Sequence, residues 1–303
     1  MPDPYRFAMT LAASSAASFF WFWWLGRSGT PSSLTADESS ARNVLRSIAA
    51  ISFAIIVGYG VLRLLPAFPP RSGLDRLLVI VLPCALLLEC LGRFPAFTAG
   101  RMTLLRSLWA LLSMWILLFD SVYLRGVQDE WNHVAAFTTI AFCGVFVAVV
   151  WWLVVRIDAA GAGPVVPLSL AMSIMSGGML VILGGYIKGG SASLPLAGAM
   201  LGFGAANCMR ATPRPSSPVL SLGVVSLFGI VFVGRFFGRV TTATGITTVL
   251  APLLAGLPIL LRIPTQRSRL RFVLAVVLVA IPLTIVVAIA KRDFDIRMAP
   301  LLK

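Results

Sequence analysis

The few charged side chains that interrupt apolar runs are the first places to look for chemistry in this sequence. Lys, Arg, Asp and Glu make up 12% of the 303 residues, against about a quarter in soluble domains. Glu89 stands near the end of one apolar run, and Arg93 follows four residues later. On a helix that spacing and order favour an ion pair. The plain expectation is a neutralised pair near a membrane interface. The functional expectation is a carboxylate lining a cavity and holding a proton or cation, because ionisable groups inside a bilayer are costly.

The densest polar cluster begins at Asp120 and continues through Tyr123, Arg125, Gln128, Asp129, Glu130, Trp131, Asn132 and His133, the only histidine. Helical rise places Asp120 about 6 Å from its helix end. A solvated turn with Trp131 at the headgroups is the plain expectation. A pH-sensing or proton-relay site would draw on Asp120, Arg125 and His133, since histidine titrates near neutral pH. One histidine among scattered acids has no metal-ligand spacing. Neither a metal nor any other cofactor is expected.

Arg46, Arg63, Arg106 and Arg235 lie just inside apolar boundaries, where long side chains snorkel to headgroups. Arg235 and Arg239 are four apart and are expected to share a helix face. Two guanidinium forks there would suit a phosphate or lipid headgroup.

Between residues 176 and 208 glycine is unusually dense. Gly198 and Gly202 form a GxxxG pattern that Ala206 continues, a face on which a second helix can approach closely. The run Gly184-Gly185-Tyr186-Ile187-Lys188-Gly189-Gly190 reads as a break in a helix. Broken helices form substrate sites and gates in transporters, and Lys188 would meet an anion there.

The elements that must hold these residues are membrane helices. Hydrophobic residues make up 58% of the chain and mean hydropathy is +0.93. A water-soluble protein could not cover such a surface with polar groups. A helix needs about 20 mainly apolar residues to cross a bilayer. Apolar segments near that length run roughly over 7–25, 47–65, 77–92, 104–124, 133–155, 165–187, 192–208, 217–237, 242–261 and 270–290. The expected fold is an all-α polytopic transmembrane bundle of about ten helices, with eight as the lower count. Runs such as Val145-Phe146-Val147-Ala148-Val149-Val150 do not alternate as barrel strands would. The aromatic run Phe19–Trp24 reads as an interfacial belt on an uncleaved first helix rather than a signal-peptide cut site.

The polar connections, the longest being 27–46 and 210–218, are too short to fold alone. One membrane domain over 1–303 and no soluble domain are therefore expected. Net charge is +14, but the basic residues sit at segment ends, where they meet anionic headgroups. No nucleic-acid partner is expected. With ten spans, about 13 Lys/Arg fall on one side and about 12 on the other, so the positive-inside rule gives no orientation. Pro83, Arg93 and Pro95 match Pro252, Arg262 and Pro264 in spacing, which reads as chance. Cys84, Cys90, Cys143 and Cys208 lie in or beside apolar segments, with no Cys-x-x-Cys pair.

Several membrane enzymes are excluded by absence: there is no HExxH and no DxxxD run for Mg²⁺. The first functional expectation is a transporter or permease for a small solute or lipid-like molecule in a cell membrane, of the bacterial inner-membrane kind. A non-catalytic membrane subunit or scaffold is the alternative, and an enzyme on a lipid-linked substrate the third. The expected partners are the lipid bilayer, a small-molecule substrate or other membrane subunits.

Overall fold

The computed structural model describes residues 4–27, 36–92, 94, 96–125, 132–209, 217–263 and 268–298. Among the described residues there are helices and turns and no strand. Helix forms in each of the ten apolar segments. The chain opens with α1 (Pro4–Arg27) and α2 (Ala36–Leu62). The third segment is composite: α3 (Gly73–Arg76), a π-helical stretch Leu77–Val81, then α4 (Leu82–Leu91). Pro83 explains the π turn. It has no N–H to close an i→i−4 bond, and the turn before it widens, with the Leu82 N–H bonding the Leu77 carbonyl.

Next come α5 (Ala99–Leu118), the short α6 (Val122–Arg125), and α7 (His133–Ile157), extended by a π turn Asp158–Ala162. Then follow α8 (Val165–Leu183), α9 (Ile187–Ser191), α10 (Ser193–Cys208) and α11 (Ser217–Phe237). Two prolines, Pro252 and Pro258, tighten the following run, so α12 (Thr242–Leu250) passes through a 3-10 stretch Ala251–Gly256 into α13 (Leu257–Leu260). The last helix, α14 (Ser268–Met298), continues through Pro282.

Seven of these helical runs are long and apolar enough to cross a membrane. The other three expected spans fall short for separate reasons. Hydroxyls dilute α1, the 73–91 run carries Asp75, Arg76 and Glu89, and α10 has 16 residues. All three nevertheless run through the bundle beside their neighbours.

Neighbouring helices fix the directions. The Ser14 hydroxyl donates to the Pro195 carbonyl and Ser18 to Ala199 (both 2.8 Å), so α1 and α10 run parallel. A Cβ on Gly178 would strike Ser193 and one on Gly204 would strike Leu168, so α8 and α10 are antiparallel. Gly223 faces Leu170 and Gly234 faces Val181, making α8 and α11 parallel. The bundle thus has two ends. One holds Glu89, the starts of α5, α11 and α14, and the end of α10. The other holds Asp75, the ends of α8 and α11, and α9.

At the centre stands α11, in which every residue from 218 to 234 is buried. Around it α8 and α10 are buried along most of their length. The outer helices show the inverse pattern. Val273, Val277, Ile281, Ile285 and Ile289 of α14 are all exposed, four residues apart, and Leu104, Leu108, Leu112 and Trp115, three or four apart, are exposed on α5. Exposed apolar stripes of that extent need a nonaqueous surround.

Candidate functional site

At one end of the bundle a carboxylate and a guanidinium are locked together inside an otherwise apolar wall. Glu89, 4% exposed, sits in the last turn of α4. Arg106 projects from α5, about 10 Å below that helix's start by helical rise. Arg106 Nε donates to Glu89 Oε1 and a terminal nitrogen donates to Oε2, both at 2.7 Å. This is the fork-on-fork pairing that guanidinium and carboxylate planes favour.

Two serines one turn apart on α11 complete the shell. Ser217 donates to Glu89 Oε2 at 2.9 Å and accepts from Arg106 at 2.7 Å. Ser221, fully buried, donates to Glu89 Oε1 and accepts from the Trp151 indole N–H of α7 at 3.1 Å. Three helices, α4, α5 and α11, therefore meet on one carboxylate, and α7 joins them through Ser221. A buried charge pair survives only with such satisfied lone pairs and protons.

Above the pair opens a cleft of about 800 Å³. Arg106, Thr103 and Ser217 line its floor, and Trp152 and Arg156 line one wall. The Arg156 guanidinium lies 4.8 Å over the Trp152 ring, a cation–π contact between two residues that line the cleft. Two guanidinium groups against one carboxylate leave the cleft with a positive balance. A hollow between Val81, Ser113, Val147 and Phe228, beside α11, measures about 10 Å³, about the smallest space that could hold a water.

The opposite end carries a second buried carboxylate. Asp75 accepts from the Ala67 N–H (3.2 Å), the Ser72 N–H (3.1 Å) and the Ser72 hydroxyl (2.7 Å). Ser72 in turn accepts from the Asp75 N–H, closing a capping box at the start of α3. Burial pushes the Asp75 carboxyl up, but the Ser72 and Ala67 hydrogen bonds and the Lys188 charge outweigh it and hold it below the usual value. Lys188 lies 4.0 Å away and is half-exposed. Beside them Tyr186 has its hydroxyl pKa raised, by burial and by the Asp75 charge.

The other expected site residues are scattered. Arg93 lies outside the described residues, and Glu89 takes Arg106 as its partner. Arg106 does not snorkel to headgroups; it turns inward, where a carboxylate and a serine satisfy it. Asp120 lies beyond the end of α5, which stops at Leu118, and is exposed in a left-handed turn at φ +56°. It is therefore not a residue within a span. His133 is exposed at the first turn of α7, whose N-cap Asn132 accepts from the Ala135 N–H. The Arg125 side chain and residues 126–131 lie outside the described residues.

The glycine run 184–190 is a reversal between antiparallel α8 and α10, not an interruption of one spanning helix. Gly184 caps α8, Gly185 turns the chain at φ +90°, and Gly189 and Gly190 are packed against Tyr186 and Ile182. The Arg239 N–H donates to the Gly184 carbonyl at 3.1 Å. Arg235 and Arg239 do not share a helix face, because α11 stops at Phe237; Arg235 donates to the Thr242 hydroxyl instead. Gly198 and Gly202 face α1, where a Cβ on Gly202 would sit 2.2 Å from the Ser15 carbonyl, and Ala206 is fully buried. All four cysteines are free thiols.

Sequence reasoning missed Asp75, the inward turn of Arg106, and the Ser217–Ser221 pair. Signals were present for two of them: Ser72-x-x-Asp75 is a capping-box spacing, and Ser217 and Ser221 are four apart at a helix start. Neither a family model, nor a curated protein, nor a solved structure matches the chain.

Proposed function

We propose that the protein is a transporter or permease for a small anionic or lipid-like solute that enters through the Glu89 end. The observation that supports this most is the cleft lined by a desolvated, bidentate Glu89–Arg106 pair. Its volume suits a small ligand, since such sites span about 300–1,000 Å³. Its positive balance favours an anion. Arg106 is the group that would take an oxyanion, and Glu89 is the group already occupying it. An anion that took the guanidinium would leave the Glu89 carboxylate to the Ser217 and Ser221 hydroxyls, or to a proton taken up with the solute.

The rest of the bundle fits that reading. Two further clefts, of about 460 and 410 Å³, open at the Asp75 end beside Lys188 and Arg239, where a solute would leave. Close packing between small residues lets helices shift against one another, which alternating access requires. The small-residue face of α10 is covered by α1, which leaves that face unavailable to a partner subunit.

The test is ligand protection. Thr103→Cys is introduced into a chain whose four native cysteines are replaced by alanine. Labelling by a water-soluble maleimide is timed in inorganic phosphate, glycerol phosphate, short-chain alkyl phosphates and small carboxylates. One of these classes slows labelling, and Arg156→Gln weakens that protection. Equal labelling rates in all four contradict the proposal.

A further inference from the structure

A second hollow lies at the Glu89 end between different helices. It measures about 610 Å³ and is bounded by the turn before α8, the end of α10, α13 and the start of α14. Its walls are apolar, with Val165, Pro258 and Phe272 among them. They continue into a compact apolar layer in which Val165 packs with Ala275 and Val279. Three polar groups break this lining: Asn207, Arg269 and Arg271.

Asn207 is the first anomaly. It is 5% exposed, faces the hollow, and its amide has no hydrogen-bond partner among the described residues. The amide is open to the hollow, so a group seated there can take its hydrogen bonds. The two arginines are the second. Both stand in the first turn of α14, a 31-residue helix, where the helix dipole already places positive charge. Neither forms an ion pair among the described residues, and Arg271 is only partly exposed. Among the described residues no carboxylate lines the hollow. Two unpaired cations at a positive helix end, above an apolar trough, call for an anionic head on an apolar tail.

We propose that this hollow holds one anionic phospholipid. Its phosphate lies between Arg269 and Arg271, a headgroup or ester oxygen accepts from the Asn207 amide, and one acyl chain lies along Phe272. The site shares no residue with the Glu89 cleft, so it stands whether or not that cleft carries a solute.

The test is native mass spectrometry of delipidated protein offered phosphatidylglycerol or phosphatidylcholine at equal concentration. The wild type retains one phosphatidylglycerol at roughly tenfold lower lipid concentration than phosphatidylcholine, an affinity difference of about 1.4 kcal/mol. The double variant Arg269→Gln/Arg271→Gln loses that preference, and Asn207→Leu weakens retention of both lipids. Arg235→Gln, on the opposite end, behaves as wild type. The double variant replaces rim side chains, so its preference can be read even where Asn207→Leu does not fold. Equal retention of the two lipids by the wild type overturns the proposal. So does undiminished phosphatidylglycerol preference in the double variant. Displacement of phosphatidylglycerol by equimolar soluble glycerol phosphate also overturns it, since that marks a free-phosphate site.

Discussion

Arg106 reaches from α5 across to Glu89 on α4 and grips both carboxylate oxygens at 2.7 Å, with the Glu89 side chain 3% exposed and that of Arg106 14% exposed. Such a pair contributes little net stability, because desolvation offsets most of its attraction. Removing one partner is another matter, since it strands a buried charge. Glu89→Gln and Arg106→Gln are each expected to destabilise the bundle by about 3–5 kcal/mol. The double variant Glu89→Gln/Arg106→Gln is expected to lose less than the sum of the two. Unfolding in mixed micelles, read as a double-mutant cycle, measures this. Additive losses would show that the two side chains are not coupled.

Gly202 permits the closest helix approach on the α1–α10 face. Gly202→Ala puts a methyl within 2.2 Å of the Ser15 carbonyl, and such overpacking costs about 1–3 kcal/mol. The matched control is Gly60→Ala, where nothing lies within 4 Å. There helix propensity should raise stability by up to about 1 kcal/mol. Thermal melts of the two variants in the same detergent should move in opposite directions.

Ser173 and Ser226 are fully buried, and neither hydroxyl has a hydrogen-bond partner among the described residues. The register that sets Leu170 against Gly223 and Val181 against Gly234 places these two serines level on α8 and α11. Removing an unpaired buried hydroxyl relieves a cost of about 1–3 kcal/mol. Ser173→Ala and Ser226→Ala should therefore each raise the melting temperature. A fall in both would mean that the hydroxyls hold a water or a ligand.

Asp75 gives the Asp75 end a pH dependence whose sign is fixed by its partners. Its folded pKa is below its unfolded one, because hydrogen bonds from Ser72 and Ala67 outweigh burial. The stability it contributes is complete above the unfolded value, near 3.9 for aspartate. It is lost as pH falls through the lower folded value. Amide-exchange protection at Ala67 and Ser72 should hold from neutral pH down to about that unfolded value and decline below it. Asp75→Asn should remove the dependence. Protection that falls between pH ~7 and ~5 would point to a different group.

Much of the fold was legible because membrane helices announce themselves by length and oiliness. All ten apolar segments hold helix, and their bounds shifted mainly where polar chemistry intervened. The segment expected over 104–124 stops at Leu118, and so Asp120 drops out of the span into a turn. Proline patterns signalled the π and 3-10 stretches only in part, since Pro282 leaves α14 a single helix while Pro83 widens its turn.

The candidate site was half legible. Glu89 stood out as an acid in an apolar run. Its partner could not be read from spacing, because Arg93 is one helical turn away in sequence and Arg106 is a helix away. Only packing brings Arg106, Ser217 and Ser221 to the same carboxylate. The Gly184–Gly190 run illustrates the converse. Its composition fits an interrupted span and a tight reversal equally well, and the antiparallel packing of Gly178 on Ser193 decides for the reversal.

Uptake by proteoliposomes tests the central claim most directly. The anion that protects Thr103→Cys is supplied outside vesicles carrying the wild type, Arg106→Gln or Arg156→Gln. The wild type should show saturable uptake. Arg106→Gln should abolish it, and Arg156→Gln should raise the half-saturating concentration by roughly tenfold, as loss of one charged contact predicts. Uptake no faster than in protein-free vesicles, or equal in all three proteins, would contradict transport through the Glu89 cleft.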